Sequence, residues 1–354
     1  MPAEPVGAAV VGPGYISDEY LTTLANCEEV KVRFVAGRDA GAARAKADQH
    51  GIAGAGTWPD LMAADGIDLV INLTVPAAHA QVSTAALKAG KHVWSEKPLA
   101  TSMADAHRLV ALADELGLRL GCAPDTFLGP GPQTALAALA NGRIGSVTSG
   151  FASCQYRGPD YWHPAPEFLF QEGAGPVLDV GPYFLTTLVL IFGSLQRVTA
   201  RGVITRAKRT VATGPRAGHQ FDVTVPSHVT ALYEFADGGL VDAIFSFDSP
   251  IPRMLVEING TEGSYRLPAV SEFDGSGVVT MMDTSQTDVP PDSISGLARG
   301  TGVIDMARSL RAGVQHRADG RLALHVLEAL LATEESMRAG STVTLATQAP
   351  ATSR

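Results

Sequence analysis

Cysteine is scarce in this chain, and concentrated positive charge is missing altogether. Its 354 residues hold three cysteines, Cys27, Cys122 and Cys154. They lie far apart, with no C-x-x-C pair and no histidine at metal-ligand spacing, so a metal or redox role is set aside and they read as small buried hydrophobes. No metal is expected, and the usage fits a reducing cytoplasm. The net charge of −9, without any Lys/Arg run interleaved with aromatics, offers a nucleic acid or an anionic membrane no general attraction. An anionic cofactor must then be held by local devices such as helix N-termini, backbone amides or one well-placed arginine. The most apolar stretch, Tyr183 to Phe192, is far too short to span a bilayer, and the opening Met1-Pro2-Ala3-Glu4-Pro5 lacks the basic region of a signal or transit peptide. A cytoplasmic protein without membrane or nucleic-acid partners is the expectation.

What is present is the composition of a globular protein, 45% hydrophobic and 18% charged, with 37 glycines and 22 prolines for tight turns. The length exceeds the usual size of one domain, so two are expected. From Val6 to Cys122 short β-branched runs alternate with helical patterns, as in a parallel sheet covered by helices. Strands are expected over Val6–Val11, Val30–Ala36, Asp68–Leu73, His92–Ser95 and Arg119–Cys122. Helices are expected over Tyr15–Asn26, Ala40–His50, His79–Ala89 and from Ser102 onward, the last opened by a Ser102-x-x-Asp105 capping pattern and others closed by Gly51 and Gly90. The pattern changes after Pro124, so the division is read as a Rossmann domain over 1–124 and an α+β domain with a large, mostly antiparallel open sheet over 125–354. Strand candidates there are Val147–Tyr156, Val198–Thr205, Val223–Phe235, Leu240–Asp248 and Met254–Asn259, with a hairpin turn at Asp237-Gly238-Gly239. Helices are read at Gln133–Asn141, Pro182–Phe192 and Leu322–Arg338. Ser271 to Gly302 reads as a surface loop.

The chemistry-bearing residues fall where such a parallel sheet binds ligands. Between the first strand and first helix lies Gly12-Pro-Gly14-Tyr15-Ile16-Ser17. Gly12 permits the tight turn, Gly14 lets backbone amides approach a pyrophosphate, and Ser17 takes the place of a third glycine. About 20 residues further on, at the end of the second strand, an acidic residue would accept from the ribose of NAD. Arg38-Asp39 stands here. A guanidinium at Arg38 pairs with the 2′-phosphate of NADP, which is favoured; alternatively Arg38 is solvated and Asp39 reaches the ribose of NAD. The third strand ends in Asn72-Leu-Thr74-Val-Pro76-Ala-Ala-His79, where Thr74 and Pro76 would line the nicotinamide side and His79 either packs or meets the cofactor. The fourth delivers Glu96-Lys97-Pro98. A strand-end lysine is often a solvated charge, but partial burial at a cofactor cleft suits a lysine to acid/base work, and Glu96 supplies a partner.

On Gly12-Pro-Gly14-Tyr-Ile16, the Thr74-Val-Pro76 turn with His79, Ala89-Gly-Lys-His-Val93 and Glu96-Lys97-Pro98, the chain resembles the glucose-fructose oxidoreductase and inositol 2-dehydrogenase family, Gfo/Idh/MocA. The likeness continues through Gly142-Arg-Ile-Gly145, the stretch from Gly173 to Tyr183, and Asn259-Gly-Thr-Glu-Gly-Ser264. It implies that Lys97 serves beside the nicotinamide and that Asp179, with a residue four positions later, completes the site. That residue is Tyr183, as in members where tyrosine replaces histidine; a phenol can also move the substrate proton. Asp125, Trp162 and His163 are further candidates for substrate contact, together with Asp179 and Tyr183, since an aromatic face and hydrogen-bonding groups suit a sugar ring; alternatively Trp162 is core and His163 a satisfied packing histidine. The resemblance further implies hydride transfer between a secondary alcohol or ketone of a sugar or cyclic polyol and NADP or NAD, and a homodimer or homotetramer formed through the open sheet. Alternatives within the same likeness are an NAD-dependent glycosidase using transient redox chemistry and a non-catalytic dinucleotide sensor.

Overall fold

The computed structural model describes residues 4–293 and 296–350, so the reading of Met1 to Ala3 and of Ile294 and Ser295 lies outside it. The chain forms two compact units, one of residues 1–129 and 296–327, the other of residues 130–295 and 328–354. The first contains strands β1 (Val6–Val11), β2 (Val30–Ala36), β3 (Gly54–Gly56), β4 (Leu69–Asn72), β5 (His92–Ser95) and β6 (Leu120–Cys122). Between them run helices α1 (Tyr15–Ala25), α2 (Ala40–Gln49), α3 (Trp58–Met62), α4 (Pro76–Lys88) and α5 (Met103–Glu115). The strands are all parallel in the order β3-β2-β1-β4-β5-β6. Such strands are covered on both faces, which is why β1 and β4 read as continuous apolar runs and bury Ala8 to Val10 and Leu69 to Ile71 completely. Strand order reverses between β1 and β4, placing a switch point at their carboxyl ends. The expected Rossmann domain is therefore present, with one addition: β3 and α3 escaped the sequence because three residues, Gly-Ala-Gly, carry no strand pattern. Helix α5 starts where its pattern predicts, the Ser102 hydroxyl accepting from the Asp105 N–H at 3.2 Å.

The second unit holds α6 (Pro130–Ala140), β7 (Val147–Gln155), α7 (Pro176–Phe192), β8 (Leu195–Val203), β9 (Lys208–Thr210), β10 (Gln220–Asp222), β11 (His228–Phe235), β12 (Leu240–Ser246), β13 (Arg253–Gly260), β14 (Gly263–Arg266), β15 (Gly277–Met281) and β16 (Gln286–Val289). With β17 (Val343–Thr344) most of these form a nine-stranded sheet, β16-β15-β14-β13-β7-β12-β11-β8-β17, antiparallel except for the β12–β7 pair. Alternation sets its faces: Val229, Ala231, Tyr233 and Phe235 of β11 are buried, while Thr230 is exposed. The turn at residues 237–239 joins β11 to β12 as expected. Three expectations shift. The strand expected from Val223 begins only at His228, because Pro226 interrupts the ladder and Gln220–Asp222 pairs instead with β9. The stretch expected to be loop contributes β15 and β16. Helix α7 starts at Pro176 rather than Pro182, so the proline at its first turn is Pro176 and Pro182 lies inside the helix at the cost of one backbone bond.

Helix α8 (Thr301–Ala312) was not expected, and it packs within the first unit, not the second. The last helix, α9 (Gly320–Ala339), begins in the residues counted with the first unit. The compact units divide near residue 129, close to the expected 124, and count 296–327 with the first. The reason is tertiary: α8 buries Val303, Met306 and Ala307, and its second residue, Gly302, lies so close to Trp94 that a Cβ there would be 2.0 Å from the indole ring. No helix among the described residues is long and apolar enough to cross a membrane. Gly302→Ala should destabilise the protein by about 1–3 kcal/mol through overpacking, although alanine favours helix by ~1 kcal/mol. Urea unfolding checks this; a variant as stable as the parent would refute the close packing of α8 on Trp94.

Candidate active site

The turn after β1 is built for an anion. Gly12 adopts φ 100°, and a Cβ there would sit 2.6 Å from the Leu73 carbonyl oxygen, so only glycine fits. Gly14 caps α1 without any side-chain hydrogen bond, and a Cβ at Gly14 would meet nothing within 4 Å. No side chain caps this 11-residue helix, and its N-terminus lies beside open space at Gly14, which fits a dinucleotide pyrophosphate. Tyr15 is exposed and Ile16 half-buried, whereas Ser17 is buried with its hydroxyl donating to the Gly14 carbonyl at 2.6 Å. After β2, Arg38 is exposed, while Asp39 caps α2, one carboxylate oxygen accepting from Gly41 N–H at 2.8 Å and Ala42 N–H at 3.2 Å.

At the end of β4 the structure redistributes the expected contacts. The Asn72 amide donates to the His79 carbonyl and the Ser83 hydroxyl, both at 3.0 Å, and its oxygen accepts from the Thr74 hydroxyl at 2.6 Å. His79 is buried, with Nδ1 2.7 Å from the Pro98 carbonyl and Nε2 2.9 Å from that of Thr74. Both side chains are engaged internally, and His79 ties the Thr74-Val-Pro76 turn to the Glu96-Lys97-Pro98 turn. Thr74 stays half-buried and Pro76 exposed, available at the rim.

Glu96 is likewise turned inward. One oxygen accepts from the Tyr20 phenol at 2.8 Å, the other from the Lys97 backbone N–H at 3.0 Å, and Trp94 Nε1 donates to the same phenol at 3.2 Å. Lys97 lies two residues past the end of β5 and is half-buried. Asp125, expected at the substrate, is wholly buried within the first unit. Its Oδ2 accepts from Gly300 and Gly302 N–H at 3.0 Å each, holding the start of α8, and its Oδ1 has no hydrogen-bond partner among the described residues. Burial, with Glu96 adding to it, pushes this carboxyl up to about 6.

In the second unit Asp179 stands in the first turn of α7, half-buried, and Tyr183 lies one turn later on the same helix face, 8% exposed. Two neighbours sense this carboxylate: burial and the Asp179 charge push the thiol of Cys154, buried as expected, up to about 12 and raise the Tyr156 phenol as well. The candidates Trp162 and His163 form an aromatic row with Phe168, ring centroids 5.5 Å apart at each step, and Trp162 and Phe168 are more than half exposed. Phe168 was missed although the aromatic run from Tyr161 to Phe170 signals it. His163 Nδ1 accepts from the Ala165 N–H at 3.0 Å, leaving Nε2 to carry the proton of the neutral ring. The segment before the row is held by buried Arg209, which donates to the Arg157 and Phe247 carbonyls and pairs with Asp160 and Asp248.

A doubly wound parallel sheet with an uncapped glycine turn at its rim defines a dinucleotide-binding protein, and a strand-end lysine beside that rim points to an oxidoreductase. Residues 6–123 match the Gfo/Idh/MocA oxidoreductase family with its NAD-binding Rossmann fold, and residues 133–266 match the Gfo/Idh/MocA C-terminal domain. The chain belongs to this family and is an NAD(P)-binding oxidoreductase. Among curated relatives, D-apiose dehydrogenase of Paraburkholderia graminis is 25% identical over 95% of this chain and 89% of its own length. The NADP(+)-linked scyllo-inositol 2-dehydrogenase IolU of Bacillus subtilis is 28% identical over 55% of this chain and 60% of its own. An aldose-aldose oxidoreductase of Caulobacter crescentus, solved with glycerol, shares the fold with a TM-score of 0.81 at 18% identity, covering 97% of this chain and all of that one.

Asp125 gives the fold a pH signature. The folded chain keeps it protonated up to about 6 where an unfolded aspartate ionises near 3.8. Between these values the folded state binds the extra proton, so this group lowers stability as pH rises, by about 3 kcal/mol when complete. In Asp125→Asn that decline is absent, and the variant should gain on wild type steadily from pH 4 to pH 7 in denaturant titrations; parallel curves would contradict the assignment.

Proposed function

We propose that the protein is a sugar or polyol dehydrogenase, moving a hydride between a secondary carbinol carbon and a bound nicotinamide cofactor. The observation that carries this reading is Lys97 at the end of β5, on the rim where the uncapped N-terminus of α1 offers its amides. The nicotinamide supplies the hydride acceptor or donor; the protein supplies position and proton transfer. Lys97 and Tyr183 handle the hydroxyl proton, and Asp179 supports them electrostatically. Thr74 and Pro76 line the nicotinamide, while Trp162 and His163 offer an apolar face and an N–H to a sugar ring. The names of D-apiose dehydrogenase and scyllo-inositol 2-dehydrogenase support this substrate class.

NADP is the preferred cofactor in this proposal. Arg38 is exposed after β2 and Asp39 is engaged at the cap of α2, so the guanidinium is the better-placed group for a 2′-phosphate. The test is a panel of sugars and cyclic polyols with NAD and NADP, read by the absorbance of the reduced cofactor. Net reduction is expected; product without net absorbance change would instead favour transient redox chemistry. Lys97→Ala should lower kcat by roughly 10²–10⁴-fold and leave cofactor Kd within about twofold; wild-type turnover in that variant would remove Lys97 from the mechanism. Arg38→Ala should weaken NADP by about tenfold or more with little effect on NAD, measured by fluorescence titration. Equal effects on both cofactors would defeat the 2′-phosphate assignment.

A further inference from the structure

Tyr20 lies in α1, the helix whose N-terminus forms the anion cradle, and it is completely buried. Its ring packs beside Gly300, where a Cβ would lie 3.5 Å from the ring. A phenylalanine would fill the same space, so packing alone asks for no hydroxyl. Yet that hydroxyl donates to Glu96 at 2.8 Å and accepts from Trp94 Nε1 at 3.2 Å, and the other Glu96 oxygen accepts from the Lys97 backbone N–H. Glu96 is 9% exposed, so it has little water to replace a lost donor. Burial and the charges of Glu96 and Asp125 raise the phenol well above its ordinary range, which keeps it a fixed donor rather than a base.

We infer that Tyr20 is a positioning residue for Lys97: by fixing the Glu96 carboxylate that holds the Lys97 backbone, it ties the lysine-bearing turn to the helix that offers its amides to the cofactor. This rests on the proposed role of Lys97. The hydroxyl touches neither substrate nor cofactor and acts through Glu96. Its removal leaves a buried carboxylate short of one donor, and the carboxylate then turns away from its hold on Lys97 N–H.

The experiment compares full-length Tyr20→Phe with wild type in two readouts. Hydrogen exchange of the peptide spanning residues 94–99, without cofactor, should show the Lys97 amide exchanging about tenfold faster or more, with the thermal midpoint lowered by only a few degrees. Turnover should fall about tenfold, with cofactor Kd within about twofold and a shifted pH–rate profile, which a merely structural tyrosine would not produce. Unchanged exchange would overturn the inference, and so would faster exchange with unchanged kcat and pH profile. Should Tyr20→Phe fail to fold, Glu96→Gln replaces the accepting oxygen at one end and must accelerate the same amide. If wild type turns over no polyol or sugar, the proposed function fails, while amide exchange alone still decides the Tyr20–Glu96–Lys97 tie.

Discussion

A carboxylate taken out of water must be held by donors, and the rim of the first unit is organised around that requirement at Glu96. A phenol from α1 and a backbone amide of the next residue supply the donors, and an indole on the same strand steadies the phenol. The consequence is mechanical. The turn carrying Lys97 is fastened to the helix that begins the dinucleotide site, and His79 fastens it again through the Pro98 carbonyl. A second buried carboxyl, Asp125, holds the first turn of α8 beside the same indole, so residues 175 and 177 positions apart in the chain converge on one polar core.

The second unit solves a different problem, the exposure of an aromatic row on a loop. Arg209, fully buried, binds two carboxylates and two backbone carbonyls, and so fixes the segment before the exposed aromatic row. Such an ion cluster adds definition more than net stability, since desolvation offsets much of its Coulombic gain. Helix α7 begins six residues earlier than its apolar stretch, and that extension carries Asp179 onto the same helix, one turn before Tyr183. The loop exposes an aromatic row, and the helix carries a half-buried carboxylate and, one turn later, a buried phenol.

Legibility followed the range of the forces involved. The strands Val6–Val11, Val30–Ala36 and His92–Ser95 emerged with the boundaries their β-branched runs implied, because strands covered on both faces need little beyond local apolarity. Gly12 was legible because a close approach of backbones permits no Cβ. The short strand Gly54–Gly56 was hidden since its pairing with β2 is its whole basis. Asn72, His79, Glu96 and Asp125 read as ligand-facing polar residues; each instead satisfies a buried neighbour, and a sequence does not say to which side of a turn a polar group points.

The sequence by itself determined the parallel first sheet, the glycine turn, the Lys97 position and the family, because each depends on local periodicity or on residue types within one short segment. Only the tertiary structure decided that residues 296–327 join the first unit, that Pro182 lies within a helix, and that four polar candidates face inward. Those outcomes come from contacts between segments far apart in the chain, where burial and hydrogen-bond satisfaction override local preference.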